Sequence, residues 1–389
     1  MGKINIPYGK QTISEQDIQA VVDVLRSDWL TQGPSVERFE RAVADYCGVN
    51  CAVAVNSATS ALHIACLAAG LGGGDILWTS PISFVASANC ARYCGADVDF
   101  VDIDPDTCTM SVEELEKKLV EAEKTGRLPK VVVPVHFAGQ SCDMERIAAL
   151  GEHYGFTVIE DAAHAIGGRY RGQLIGNCRY SAMTVFSFHP VKLITTGEGG
   201  MVVSRSEELC SRLVRLRSHG ITRDPAEFTF QSHGPWYYEQ IELGFNYRMT
   251  DIQAALGCSQ LLRLDANVAR RHELVARYRQ AFADLPIRFL SQDSDCYSAY
   301  HLFVVMLDCD LIATQREELA AKLRADGIAS NVHYIPIHLQ PYYRQYGFRP
   351  GDFPKAEEYY RHALTLPLYP AMTDAQQQHV IDVFRRVIG

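Results

Sequence analysis

Lys192 closes the segment Ser187-Phe188-His189-Pro190-Val191-Lys192 and is followed by the glycine-rich Thr195-Thr196-Gly197-Glu198-Gly199-Gly200. Upstream, the apolar run Phe156-Thr157-Val158-Ile159 delivers Glu160-Asp161 and then Ala162-Ala163-His164-Ala165. An amine attacks a carbonyl only when neutral, and a free lysine at pH 7 is almost wholly charged. An apolar setting, with a strand before Lys192 and Leu193-Ile194 after it, favours the neutral form. An acid at a strand end can hold a heterocyclic nitrogen protonated. This pairing suits pyridoxal phosphate (PLP). The lysine forms the Schiff base, and Asp161 keeps the pyridine nitrogen protonated, so that the ring accepts electrons from a Cα carbanion. Taken singly, each residue has an ordinary alternative. A lysine is usually a solvated surface charge, Asp161 could cap the following segment, and His164 could be structural.

A phosphate needs donors. Asn56-Ser57-Ala58-Thr59-Ser60 stands where a strand runs into a helix, and a helix start offers free N–H groups and a positive dipole end. Ala58 and Thr59 would give backbone N–H groups, and Thr59 and Ser187 hydroxyls. The glycine and lysine spacing of a Walker loop is absent. Phe84 follows Thr79-Ser80-Pro81-Ile82-Ser83 at a second strand-to-helix transition, where it could stack on the pyridine or sit in the core. His164 could meet the ring face or its phenolic oxygen.

The elements that must hold these groups alternate. Strand-like runs cover 51–55, 75–79, 98–103, 130–137 and 156–160. Helical stretches cover 57–71, 83–94, a Ser111-capped segment and 143–154. Such alternation predicts an α/β fold whose mainly parallel sheet is flanked by helices, with ligands at the carboxyl ends of the strands. Strands at 182–188 and 200–204 flank the Lys192 loop. The stretch from 223 to 248 has no clear period. A long helical region at 250–285 leads to strands at 300–307 and 331–335 and a helix at 314–326. The expected division is a large cofactor-binding domain with an N-terminal segment, 1–265, and a small α+β domain, 266–389.

The chain has 389 residues, 47% apolar and 21% charged, ample for a core without metal. Its net charge of −9 argues against broad nucleic-acid or anionic-membrane binding. The absence of a secretory signal or spanning segment predicts a cytoplasmic protein, its twelve cysteines reduced. Cys47/Cys51 and Cys90/Cys94 have no second ligand pair at zinc spacing, so no metal site is expected.

The stretches around Asp161, Lys192 and Gly197-Glu198-Gly199-Gly200 resemble the DegT/StrS-type sugar aminotransferases, which have the aspartate-aminotransferase fold (PLP-dependent fold type I). The resemblance covers nearly the whole chain. It implies Lys192 on the PLP aldehyde, Asp161 on the ring nitrogen, and Ala58, Thr59 and Ser187 on the phosphate. Gly244-Phe245-Asn246-Tyr247-Arg248-Met249-Thr250 resembles the family element that reaches into a neighbouring subunit. That implies Asn246 on the phosphate of a second copy, in a homodimer with shared active sites. Many relatives have Gly-Thr where this chain has Ala58-Thr59, and backbone donation survives that change. Family members that dehydrate their sugar carry histidine in place of the lysine, so Lys192 favours transamination. A non-catalytic PLP-binding regulator would be expected to add a DNA-binding segment, whereas this acidic chain opens on an enzyme-like stretch.

Further stretches resemble the pseudaminic-acid branch of the family: Ile6-Pro7-Tyr8-Gly9-Lys10-Gln11, Ser27 to Pro34, Trp78 to Pro81, Ser87 to Cys90 and His333 to His338. That branch implies L-glutamate/2-oxoglutarate as donor pair and a UDP-linked 4-keto-6-deoxy-N-acetylhexosamine as acceptor. Its product is UDP-4-amino-4,6-dideoxy-N-acetyl-β-L-altrosamine. Arg248, His333 and Tyr334 are the expected substrate contacts, with Arg248 favoured for an anionic group because it lies two residues from Asn246. Lys10, Trp29, Thr31 and Arg223 are further polar or aromatic residues on expected loops.

Overall fold

A computed structural model describes residues 5–308, 312 and 315–388. Among them, seven strands form one sheet in the order Cys51–Val55, Gly200–Ser204, Met183–Ser187, Thr157–Asp161, Val131–Val133, Ile76–Thr79, Asp97–Phe100. Every pairing from Asp97–Phe100 to Met183–Ser187 is parallel. Gly200–Ser204 runs antiparallel to both its neighbours. The sheet is therefore mainly parallel. Val131–Val133, Met183–Ser187 and Gly200–Ser204 are buried along their whole length, as their near-continuous apolar sequence requires of strands covered on both faces. The covering helices begin where a side chain caps them: Ser57 on Ala58–Ala68, Ser111 on Val112–Thr125, Asp143 on Met144–Tyr154, Ser206 on Glu207–Arg217.

The period of two at the end of Thr157–Asp161 sends Glu160 and Asp161 to opposite faces. Glu160 is buried and takes bonds from His136 Nε2 (2.6 Å), Ser181 Oγ (2.5 Å) and Thr184 Oγ1 (3.1 Å). Burial alone would raise its pKa, but these donors hold the carboxylate below its usual range. The strand end is thus anchored from behind, leaving Asp161 to face the site.

Toward the C-terminus, Ile287–Phe289, Phe303–Leu307 and Ala363–Leu366 form an antiparallel sheet. Its core gathers Tyr278, Phe282, Val305, Leu366 and Phe384. The Leu264–Ala281 helix serves both cores: Leu264 and Val268 pack with Phe186 and Phe188, while Leu274 and Tyr278 pack in the second core.

Several expectations are corrected. The strand expected over 130–137 stops at Val133, because Pro134 has no N–H to donate; Val135 then makes a single bridge to Asp161. The strand expected over 98–103 ends at Phe100. The helix expected over 250–285 is broken into Asp251–Leu261 and Leu264–Ala281. The break exposes Leu262 to 88% and lets Arg263 reach the buried Asp17 at 2.5 Å, where Ser259 and Gln260 also donate. Residues 331–335 are not a strand; Asn331 makes one bridge to Thr365, and the sheet position is filled by Ala363–Leu366. The expected 314–326 helix is Arg316–Ala325, and Thr314 lies outside the described residues. Helices Glu15–Leu25 and Pro34–Cys47 escaped the sequence reading; Asp251 accepts the Gly33 and Ser35 N–H groups at the start of the second.

The expectation of reduced thiols is also corrected. Cys51 and Cys210, 159 residues apart, are joined in a disulfide with Cα atoms 6.5 Å apart. The Glu207–Arg217 helix packs on the Cys51–Val55 edge strand and brings them within bridging distance. Among the described residues, no helix is long and apolar enough to cross a membrane.

Candidate active site

A cavity of about 670 Å³ opens at the carboxyl ends of Thr157–Asp161 and Met183–Ser187. It is lined by Ala58, Thr59, Phe84, Asp161, His164, Ser187, Lys192, His333 and Tyr334, residues spread over 276 positions of sequence (334 − 58) and gathered by the fold.

At one end is an anion cup. The Ser57 side chain takes the Ser60 N–H at 3.1 Å. The Ala58 and Thr59 N–H groups, in the first turn, have no intrahelical acceptor to point at. Gly200 makes the cup possible: a Cβ there would lie 2.6 Å from the Ala58 nitrogen. Gly200 also pairs with Ser187 across the sheet, which brings the Ser187 hydroxyl to the same end.

In the middle, Asp161 Oδ2 accepts from Ser87 Oγ at 2.6 Å, and Oδ1 accepts from the Ala163 N–H at 3.1 Å. Ser83 and Ser87 share a further hydroxyl bond of 2.6 Å. Asp161 therefore keeps a fixed orientation while it lines the cavity. Phe84 is 60% exposed, so the core alternative for it fails; its ring lies 6.3 Å from that of Tyr334 over the opening. His164 Nε2 meets the Tyr334 hydroxyl at 3.1 Å. Burial, then the nearby Lys192 and His333, push the His164 pKa well down, so the ring is neutral.

At the other end, Lys192 Nζ lies 3.5 Å from His301 Nε2. Desolvation pulls the Lys192 pKa down to about 8, against the opposing pull of the Asp161 carboxylate. The neutral amine is the nucleophile, so the rate at which cofactor-free protein captures PLP rises about tenfold per pH unit below 8 and levels off above it. An ordinary lysine would keep gaining to about pH 10.4. Stopped-flow absorbance from pH 6 to 10 measures the midpoint.

His333 is buried, its Nδ1 2.9 Å from Thr365 Oγ1, and burial followed by Lys192 lowers its pKa to about 4. Burial raises the Tyr334 hydroxyl. The structure brings these two to Lys192, but not Asn246 or Arg248. Asn246 is exposed and bridges Ser218, and Arg248 bridges Val55. Both run beside the cup strand, where the Tyr247 carbonyl accepts the Asn56 N–H, yet neither lines the cavity of its own chain. Nor do Lys10, Trp29, Thr31 or Arg223; the last stacks over Tyr238.

Tyr8, Ser83, Ser87, Glu198, His301 and Asn331 line the site without having been singled out. Ser83 and Ser87 meet where the chain turns into the Ala86–Tyr93 helix, Ser83 lying three residues before its start.

A bound PLP fits this donor set: a helix-start cup for phosphate, a buried carboxylate, a depressed lysine and an aromatic ring. Two buried ring nitrogens, His164 Nδ1 and His301 Nδ1, have no hydrogen-bond partner among the described residues and mark the site as built for a polar guest. Those residues hold no cluster of three or more potential metal ligands.

The model of the DegT/DnrJ/EryC1/StrS aminotransferase family matches residues 11–385. The spore coat polysaccharide biosynthesis protein SpsC of Bacillus subtilis (strain 168) is 41% identical over 388 residues, covering 98% of this chain and 97% of that protein. Among solved structures, the putative sugar aminotransferase Spr1654 from Streptococcus pneumoniae, in its PMP form, superposes with a TM-score of 0.89 at 31% identity, covering 98% of this chain and 97% of the other. Helicobacter pylori PseC, an aminotransferase involved in the biosynthesis of pseudoaminic acid, gives 0.89 at 29% identity, covering 99% of both.

Proposed function

The chain belongs to the DegT/DnrJ/EryC1/StrS aminotransferase family, and from that premise we propose that it aminates C4 of a UDP-linked 4-keto-6-deoxy-N-acetylhexosamine, using L-glutamate, in the cytoplasm. It is a PLP-dependent sugar aminotransferase. The product in this reading is UDP-4-amino-4,6-dideoxy-N-acetyl-β-L-altrosamine, for pseudaminic acid synthesis. The substrate assignment leans on the likeness to PseC across both chains. The observation that carries the reaction is Lys192, depressed to about 8 and facing Asp161 across one cavity.

PLP, when bound, supplies an aldehyde for an amine and an electron sink for a Cα carbanion. The chain does the rest. The Ala58 and Thr59 N–H groups and the Ser187 hydroxyl would hold the phosphate. Asp161, fixed by Ser87 and the Ala163 N–H, would keep the ring nitrogen protonated. Phe84 and His164 line the same cavity and would lie against a bound ring. Lys192 Nζ would be both anchor and base: as the free amine it would take the proton from the amino donor's Cα, and as the ammonium it would give a proton back when the sugar is aminated. Ping-pong kinetics follow. Residues 266–389 bring His301, His333 and Tyr334 over the part of the site built by residues 1–265, with His333 and Tyr334 facing the sugar. Asn246 and Arg248, outside their own chain's cavity, serve the phosphate and an anionic substrate group in a second copy, making the enzyme a homodimer with shared sites.

A second acceptor is favoured by the 41% identity to SpsC, a spore coat polysaccharide biosynthesis protein: a different UDP- or dTDP-linked keto sugar. Product analysis with a panel of UDP- and dTDP-4-keto sugars tests both. Amination of the UDP-4-keto-6-deoxy-N-acetylhexosamine alone supports the first reading. Amination of a dTDP sugar alone removes it and leaves the reaction class standing.

A further inference from the structure

We infer that His301 is a positioning residue for Lys192: its Nε2 accepts a hydrogen bond from Lys192 Nζ and holds the amine in line whenever it is not bonded to the cofactor. This rests on Lys192 being the anchor. The contact is 3.5 Å, the outer reach of a hydrogen bond, and joins residues 109 apart. His301 is buried, and its ring centroid lies 4.4 Å from that of His164.

Its backbone is pinned from behind. Arg271, 1% exposed, donates from Nη1 to the carbonyls of Tyr300 (3.1 Å), His301 (3.2 Å) and Leu368 (3.0 Å). All three acceptors are carbonyls, so a buried guanidinium stands close to the imidazole with its charge uncompensated by these bonds. The charged and titratable groups acting on His301 are Lys192, His164, Arg271 and His333, all basic, while the Asp161 carboxylate acts on Lys192. Burial, then these basic neighbours, keep the ring neutral. A neutral imidazole has one lone pair and one N–H. With Nε2 facing an ammonium, the proton sits on Nδ1, the atom that lacks a partner among the described residues. His301 is thereby an acceptor that does not compete for the lysine's proton, as an amine that must collect and return protons requires.

The test uses full-length protein. The pH midpoint of PLP capture is measured after cofactor removal, and a single-turnover reaction with L-glutamate is followed after reloading. An acceptor stabilises the ammonium, so His301→Leu should lower the capture midpoint by about one pH unit. It should also slow the glutamate step about 10- to 100-fold at saturation with the half-saturating concentration unchanged, as expected for a misplaced catalytic group. His301→Gln, which keeps an acceptor oxygen, should restore most of both. Leucine behaving as wild type, or glutamine as damaged as leucine, overturns the inference. Should the leucine variant not fold, glutamine decides: a midpoint within a few tenths of wild type supports the role, and a fall of a full unit overturns it. A wild-type protein without a Lys192-dependent absorbance band would overturn the site assignment and this inference together.

Discussion

Lys192→Ala loses turnover by at least ~10⁴-fold and loses the visible band of lysine-bound PLP, yet folds as well as wild type. The first two effects follow from one group doing two jobs. General acid–base transfer alone is worth about 10²–10⁴-fold, and the anchoring bond disappears with the same atom. The third effect separates this lysine from a structural one. Its pKa is lowered from 10.5 to about 8, so below pH 8 the fold holds an ammonium it would rather not hold. That penalty is fully present below about 8 and is relieved as the pH rises toward 10.5. Removing the amine at pH 7 therefore removes a cost, and since the side chain faces an open cavity, alanine leaves no sealed void. Melting of the cofactor-free variant at or above the wild-type temperature, with activity gone, is the expected pair of results. A large drop in melting temperature would make Lys192 a structural residue.

Asp161→Asn has the next largest effect, a fall of about 10³-fold in turnover with the fold intact. Asparagine keeps the shape. Its amide oxygen can still take the Ala163 N–H, and its NH₂ can donate to Ser87 Oγ, which now accepts. What is lost is charge. Without a carboxylate the ring nitrogen gives up its proton and the electron sink weakens. A second readout is independent of turnover. The Asp161 charge opposes the desolvation that depresses Lys192, so its removal must move the PLP-capture midpoint below 8. Loss of activity with an unchanged midpoint would place Asp161 too far from Lys192 for this account.

The parts of the site legible in sequence are those where one strand or one turn sets the geometry. Asp161 ends a strand, Ser187 ends its neighbour, Lys192 follows on the next loop, and Ala58-Thr59 opens a helix; each was readable because local period and punctuation fix where the side chain goes. Phe84 was ambiguous, because an aromatic at a helix start looks the same whether it faces a core or an opening. His301 was missed because its meeting with Lys192 is made by the packing of two distant segments, and nothing near residue 301 announces it. The Cys51–Cys210 bridge was missed for the same reason. The long helix over 250–285 was misread because the pattern does not show that the buried Asp17 draws Arg263 out of line. The parallel sheet, by contrast, was set by alternation repeated over many elements, and misplaced strand ends, as at Val133 and Phe100, did not disturb it.

The most direct test of the account is to load the protein with PLP, reduce it with borohydride, and locate the label by peptide mass mapping. The account predicts a single pyridoxyl group on Lys192. A label on any other lysine, or none on Lys192 in protein that turns over, would contradict it.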